Sequence, residues 1–178
     1  AIGFFINTGA RDESAKIMGI SHFLEHMIFK GSEEMTPKDV DCAFDDLGAN
    51  HNAYTGLETT AYWAHAPYKA FSSCVDILTQ ILRPALRKED IENECLVILE
   101  EIAMYQDQPF WVLYEQTLES FYPGHPLSNR VLGFEESVKS LTSSDLHAYY
   151  NERYGLKNTI VAASGHLCFD SLCKQLEK

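Results

Sequence analysis

Two periods of apolar residues alternate along this chain. Residues 3–8 read as a strand and run into a polar turn, 9–14. A helical pattern over 16–30 follows, stopped by Gly31. Thr36-Pro37-Lys38-Asp39 is an N-cap with proline at the first helical position, and the helix it opens runs to Leu47 and Gly48. Residues 50–55 and 59–66 alternate as two strands joined by the short turn Gly56-Leu57-Glu58. Pro67 begins a third helical pattern, with Phe71, Val75, Leu78 and Leu82 on one stripe, and Pro84 ends it. A fourth helix covers 88–105, where Ile91, Cys95, Ile98 and Ile102 repeat at spacings of four, three and four. Pro109 starts a helix to 121, and 122–126 is a loop. A short helix at 135–140, a helix capped by Thr142 and running to 153, a strand at 157–164 and a closing helix at 169–178 complete the pattern. Helices outnumber strands and the strands near 50 and 60 form a hairpin. The fold class is therefore α+β, a mostly antiparallel sheet covered on one face by helices.

Composition narrows the class. The chain has 178 residues, 46% of them hydrophobic and 22% charged, as in a globular domain with a sizeable core. The net charge of -12 argues against nucleic acid or an anionic membrane as partner, since both need a basic face. No apolar run is long enough for a membrane span. Cysteines 42, 74, 95, 168 and 173 are odd in number and mostly lie in apolar helical patterns. They read as buried thiols in a reducing compartment, favouring the cytoplasm, with the mitochondrial matrix or periplasm as alternatives. The chain opens without Met inside a strand and closes inside a helix, so 1–178 reads as one domain truncated at both ends.

The chemistry concentrates in His22-Phe23-Leu24-Glu25-His26. Residues four apart on a helix lie one turn above each other, so His22 and His26 can offer two imidazole nitrogens to one Zn²⁺. Glu25 projects beside the same face, where it can take a proton from water at the metal. A hydrolytic zinc keeps three protein ligands. Candidates for the third lie on the 88–105 helix, where Glu94 and Glu101 are seven apart and share a face, while Glu100 is turned away. The same acids could equally solvate the outer face of that helix.

The stretches 19–32, Asn52-Ala53-Tyr54-Thr55, Val97-Ile98-Leu99-Glu100-Glu101-Ile102, Gly124-His125-Pro126-Leu127 and Leu132-Gly133 occur in this order. In them the chain resembles the N-terminal domain of the M16 zinc peptidases, nearest the shorter, processing-peptidase-like members. The resemblance spans almost the whole chain. It implies an M16/LuxS-like fold, zinc on His22, His26 and the distal Glu101, Glu25 as the proton-transferring group, and Glu94 as an auxiliary acid. It also implies that Asn52, Ala53 and Tyr54 lie on an edge strand where a substrate peptide adds by β-augmentation. The activity implied is endopeptidase cleavage of extended peptides or presequences. The partners implied are the peptide and a second M16 half, covalent or separate, without which the domain is expected to be weakly active or inactive.

Two alternatives stand beside this one. S-ribosylhomocysteinase shares the inverted motif but takes a Cys as third ligand, and Cys95 has similar spacing. Cys95 falls on the apolar stripe of its helix, well round from Glu101. Other M16 relatives are non-catalytic core or partner subunits, which typically lose the motif that is complete here. Among the other histidines, His51 neighbours the proposed substrate strand, and His65, His125, His147 and His166 show no ligand spacing. Trp63, Phe110, Trp111 and the Tyr149-Tyr150 pair read as core or interface aromatics.

Overall fold

The computed structural model describes residues 1–177. A four-stranded antiparallel sheet, in the order β2-β3-β1-β4, is built from β1 (Ile2–Ile6), β2 (Asn50–Thr55), β3 (Thr60–His65) and β4 (Thr159–Ala163). Its register pairs Phe4 with both Tyr62 and Val161, and Ala53 with Tyr62, so these four share one face. Since side chains alternate along a strand, Ile2, Phe4, Ile6, Tyr62 and Ala64 all point to that face, and all are buried. The opposite face leaves Tyr54 and Ile160 exposed. β2 lies at an edge of the sheet.

Eight α-helices complete the described fold. They are α1 (Ile20–Ile28), α2 (Pro37–Asp46), α3 (Phe71–Ile81), α4 (Lys88–Gln106), α5 (Pro109–Phe121), α6 (Glu135–Ser140), α7 (Ser143–Arg153) and α8 (Phe169–Leu176). Two apolar clusters hold them. One joins the inner sheet face to Ile28, Val40, Phe44, Val75 and Leu78. The other packs Ile20, Phe23, Leu24 and Met27 of α1 against Ile91, Ile98 and Ile102 of α4. α1 is thus wedged between the sheet and α4, which brings residues 22–26 towards residue 101. Both caps expected from the sequence form as reciprocal pairs, Thr36 with Asp39 and Thr142 with Asp145.

Several boundaries differ from the sequence pattern. The helix expected over 16–30 begins only at Ile20, because Ala15–Ile17 is one 3-10 turn and Gly19 takes φ 94°, which interrupts the helix. Pro67 likewise opens a 3-10 turn, Tyr68–Ala70, before α3. α8 ends at Leu176, and residue 178 lies outside the described residues. The thiols are not uniformly buried: Cys74 is, but Cys42 lies in the middle of α2 off the buried Val40/Phe44 stripe, and Cys168 is the N-cap of α8, and both are exposed. Among the described residues, no helix is long and apolar enough to cross a membrane.

Candidate metal centre

Three donors converge where α1 meets α4. His22 Nε2 and His26 Nε2 are 3.2 Å apart. Glu101 Oε2 is 3.6 Å from the first and 3.5 Å from the second. A tetrahedral zinc with bonds of 2.0–2.2 Å requires donors about 3.3–3.6 Å apart. Two edges of the triangle fall within that range and the His22–His26 edge lies just below it, and this is the one His/Cys/Asp/Glu group among the described residues that could hold a metal ion. Two imidazoles and one carboxylate are also the ligand types that zinc accepts.

The local chain explains the convergence. The one-turn spacing of α1 stacks the two imidazoles. Met27 and Leu24, buried against α4, fix the roll of the helix. On α4, Ile98 and Ile102 are buried on either side of Glu101, which is itself only half-buried. Glu100 is exposed, as its 100° offset requires.

Glu94 is buried rather than solvated, with 5% exposure. One of its oxygens accepts from His26 Nδ1 at 2.8 Å, and the other pairs with Lys30 Nζ at 2.5 Å. It therefore holds the far nitrogen of His26 and does not belong to the donor triangle. A carboxylate behind a ligating imidazole fixes its tautomer and ring orientation.

Electrostatics separate the two histidines. Burial lowers His22 to about 4, with the neighbouring His26 acting the same way, so its imidazole is neutral. Burial also pulls His26 down, but hydrogen bonds to Glu101 and Glu94 outweigh it and raise the group to about 9. The hydrogen bond from His26 holds Glu101 below the usual carboxylate range. Two carboxylates around two imidazoles favour a cation at this point.

Glu25 points from α1 to the sheet. Its Oε2 accepts from Thr55 Oγ1 at 2.5 Å, and burial raises its pKa. Thr55 ends β2. Next to it a cavity of about 230 Å³ is lined by Tyr105, Trp111, Tyr114 and Leu118, among others. On the same strand, Asn52 and Tyr54 are exposed and Ala53 is half-buried; the Ala53 N–H donates to Asn52 Oδ1 at 2.8 Å.

Cys95 is not a member of the group: its Sγ lies 4.0 Å from the Val138 carbonyl, towards α6. The thiolate-ligand alternative therefore lacks its geometry. His51 stacks on Phe44 at 4.0 Å and serves the core. Sequence reasoning assigned no role to Thr55, Lys30 or Glu13. Thr55 and Lys30 both lie in stretches that carry the family resemblance, but nothing local marks their partners, and an acid in a polar loop carries no local signal.

The chain matches the model of insulinase, peptidase family M16, over residues 1–135. It belongs to that family. A protein named as an uncharacterized zinc protease from Mycobacterium leprae is 35% identical over 173 residues, which is 97% of this chain and 39% of that protein. The mitochondrial-processing peptidase subunit beta of Caenorhabditis elegans is 37% identical over 182 residues, covering 99% of this chain and 39% of its own. In fold, the chain is similar to the crystal structure of a protease from Helicobacter pylori, with TM-score 0.94 and 22% identity, across 99% of this chain and 43% of that one. It is also similar to an M16 domain from Pseudomonas fluorescens described as inactive, with TM-score 0.90 and 14% identity, across 98% of this chain and 43% of that one. The chain thus spans about two fifths of the length of the relatives it matches.

Proposed function

We propose that this chain is the zinc-bearing domain of a metalloendopeptidase that cleaves extended peptides or presequences. The observation that carries the proposal is the donor triangle of His22, His26 and Glu101, whose edges of 3.2, 3.6 and 3.5 Å lie close to those of a tetrahedral zinc site. These three residues would hold one Zn²⁺. When bound, zinc supplies Lewis acidity, activating water and polarising a peptide carbonyl.

Glu25 would accept the proton released as water attacks and return it to the leaving amine. The burial that raises its pKa suits both halves of that task, and Thr55 holds its carboxylate in place. Glu94 acts through His26 and is a positioning residue. The free edge of β2 would seat the substrate backbone alongside Asn52, Ala53 and Tyr54, holding an extended peptide without reading its sequence. The cavity beside Thr55 offers space for an apolar substrate side chain.

A fold shared with an inactive domain does not by itself carry catalysis. The proposal rests on side chains, and the motif and its distal carboxylate are complete here. The coverage of two fifths of its relatives supports a second half as partner, covalent or separate, that closes the site.

The test is zinc content by elemental analysis of the native chain, His22→Ala, Glu101→Gln and Cys95→Ser. About one zinc per chain, lost in the first two variants and kept in the third, is expected of a three-ligand site. A native chain without zinc, or a zinc that survives Glu101→Gln, overturns the assignment.

A further inference from the structure

Glu13 stands in a polar loop nine positions before His22, yet it is only 6% exposed. Both of its oxygens are engaged by the start of α1. The Gly19 N–H donates to Oε2 at 2.6 Å and the Ser21 N–H to Oε1 at 2.8 Å. A buried carboxyl group persists only where its hydrogen bonds are made. Conversely, the N-cap of α1 is Gly19, which has no side chain to cap with. Glu13 thus supplies from a distance what an N-cap residue ordinarily supplies, at the positive end of the helix.

The loop that carries Glu13 is clamped elsewhere as well. The N–H groups of Ala10 and Arg11 donate to the carbonyls of Gly56 and Leu57, at 3.2 and 2.8 Å, in the turn between β2 and β3. Asn129 Nδ2 donates to the carbonyls of Ala10 and Glu13, at 2.7 and 3.0 Å. Glu13 therefore ties the helix bearing His22, Glu25 and His26 to the hairpin bearing Thr55, the residue that meets Glu25. Its anchor at Ser21 is one residue before the first ligand. A donor triangle of this size tolerates little slip of α1 along or about its axis.

We infer that Glu13 is a positioning residue that holds the start of the zinc helix to the hairpin carrying the substrate strand and so keeps His22 and His26 in register with Glu101. The inference rests on the metal centre proposed above. The experiment uses the full chain and reads metal binding, by chelator competition for Zn²⁺ and by the absorption spectrum of bound Co²⁺. Glu13→Gln keeps the volume and one acceptor. It is expected to bind zinc about tenfold more weakly, the lower end of the effect of groups that orient ligands, and to shift the Co²⁺ bands. Glu13→Asp is too short to reach both amides and should fall in the same direction. Thr36→Ala removes a cap from α2 and serves as the comparison. It should lower thermal stability and leave zinc affinity and the Co²⁺ spectrum unchanged. Affinity within twofold of native in whichever Glu13 variant folds overturns the inference and leaves the metal centre standing. A His22→Ala chain that binds zinc as the native one does overturns the centre, and the inference with it.

Discussion

Thr55 on β2 donates its hydroxyl hydrogen to Glu25 on α1 at 2.5 Å, and no other side-chain hydrogen bond joins these two elements among the described residues. It ties the strand proposed to seat the substrate to the group proposed to move the proton. Glu25→Gln keeps the size and a Thr55 acceptor but removes the base. Because Glu25 lies outside the donor triangle, the variant should retain zinc. Turnover should fall on the order of 10²–10⁴-fold, the range for a positioned acid–base group. Zinc content and kcat on an extended peptide, measured on the domain with its second half, check both parts. Retained turnover would remove Glu25 from the mechanism.

Glu94 tests the layer behind the proposed ligands. Glu94→Gln preserves volume and can still meet His26, but leaves Lys30 without its buried partner. Zinc affinity should drop about 10- to 100-fold, as for other groups behind a ligating imidazole. The separation from Glu101→Gln is one of degree: Glu101 variants lose a donor, whereas Glu94 variants keep all three. An isothermal titration that ranks the two losses equally would make Glu94 a ligand in effect.

The donor cluster is legible in the sequence only where it depends on helical period. The motif at 22–26 is local, and the seven-residue step from Glu94 to Glu101 is readable once α4 is a helix, because both depend only on helical period. The caps at Thr36 and Thr142 are legible for the same reason. What pairs residues from distant segments left no trace. Glu94 shares its face with Glu101 in projection, yet it is buried, because Lys30 and His26 come to it from α1 and the turn after it. The start of α1 was misplaced because periodicity continues through 15–17, while the interruption is set by Gly19 packing against a loop more than a hundred residues away. Cys42 and Cys168 are exposed because one lies off the buried Val40/Phe44 stripe of α2 and the other precedes the first turn of α8, so lying in a helical segment does not by itself bury a thiol.

The absence of a side chain at Gly133 makes the α1 register possible. It has φ 76°, and a Cβ there would stand 2.4 Å from the Met18 carbonyl oxygen and 2.9 Å from Gly19 Cα. Both are backbone atoms that move only with the start of α1. Gly133→Ala should therefore cost about 1–3 kcal/mol or more, the scale of a strained backbone position with a steric clash added. Gly48, with φ 60° and open space around it, is the comparison, and its alanine variant should cost only about 1 kcal/mol. Urea denaturation of the two variants checks the difference. Equal losses would mean that the approach of Gly19 and Gly133 relaxes freely.

The ionisation of Glu13 should appear in the stability of the chain. Burial raises its carboxyl group from 4.5 to about 7, against the opposing pull of the Ser21 and Gly19 amides and with a small upward push from Asp12. Between these values the folded chain holds a proton that the unfolded chain has released, so stability falls as pH rises through this window. Below the lower value both states are protonated and no penalty exists. Above the upper one the penalty is complete, about 3 kcal/mol at roughly 1.4 kcal/mol per pKa unit. Glu13→Gln cannot titrate and should lack this term. Denaturant unfolding of both proteins, with chelator present and at steps from about pH 5 to pH 8, isolates it as the difference between two curves. The native protein should lose stability relative to the variant by an amount approaching that figure across the range. A difference that stays flat with pH would mean that Glu13 ionises as an exposed carboxylate does, and that the amides of Gly19 and Ser21 fully offset its burial.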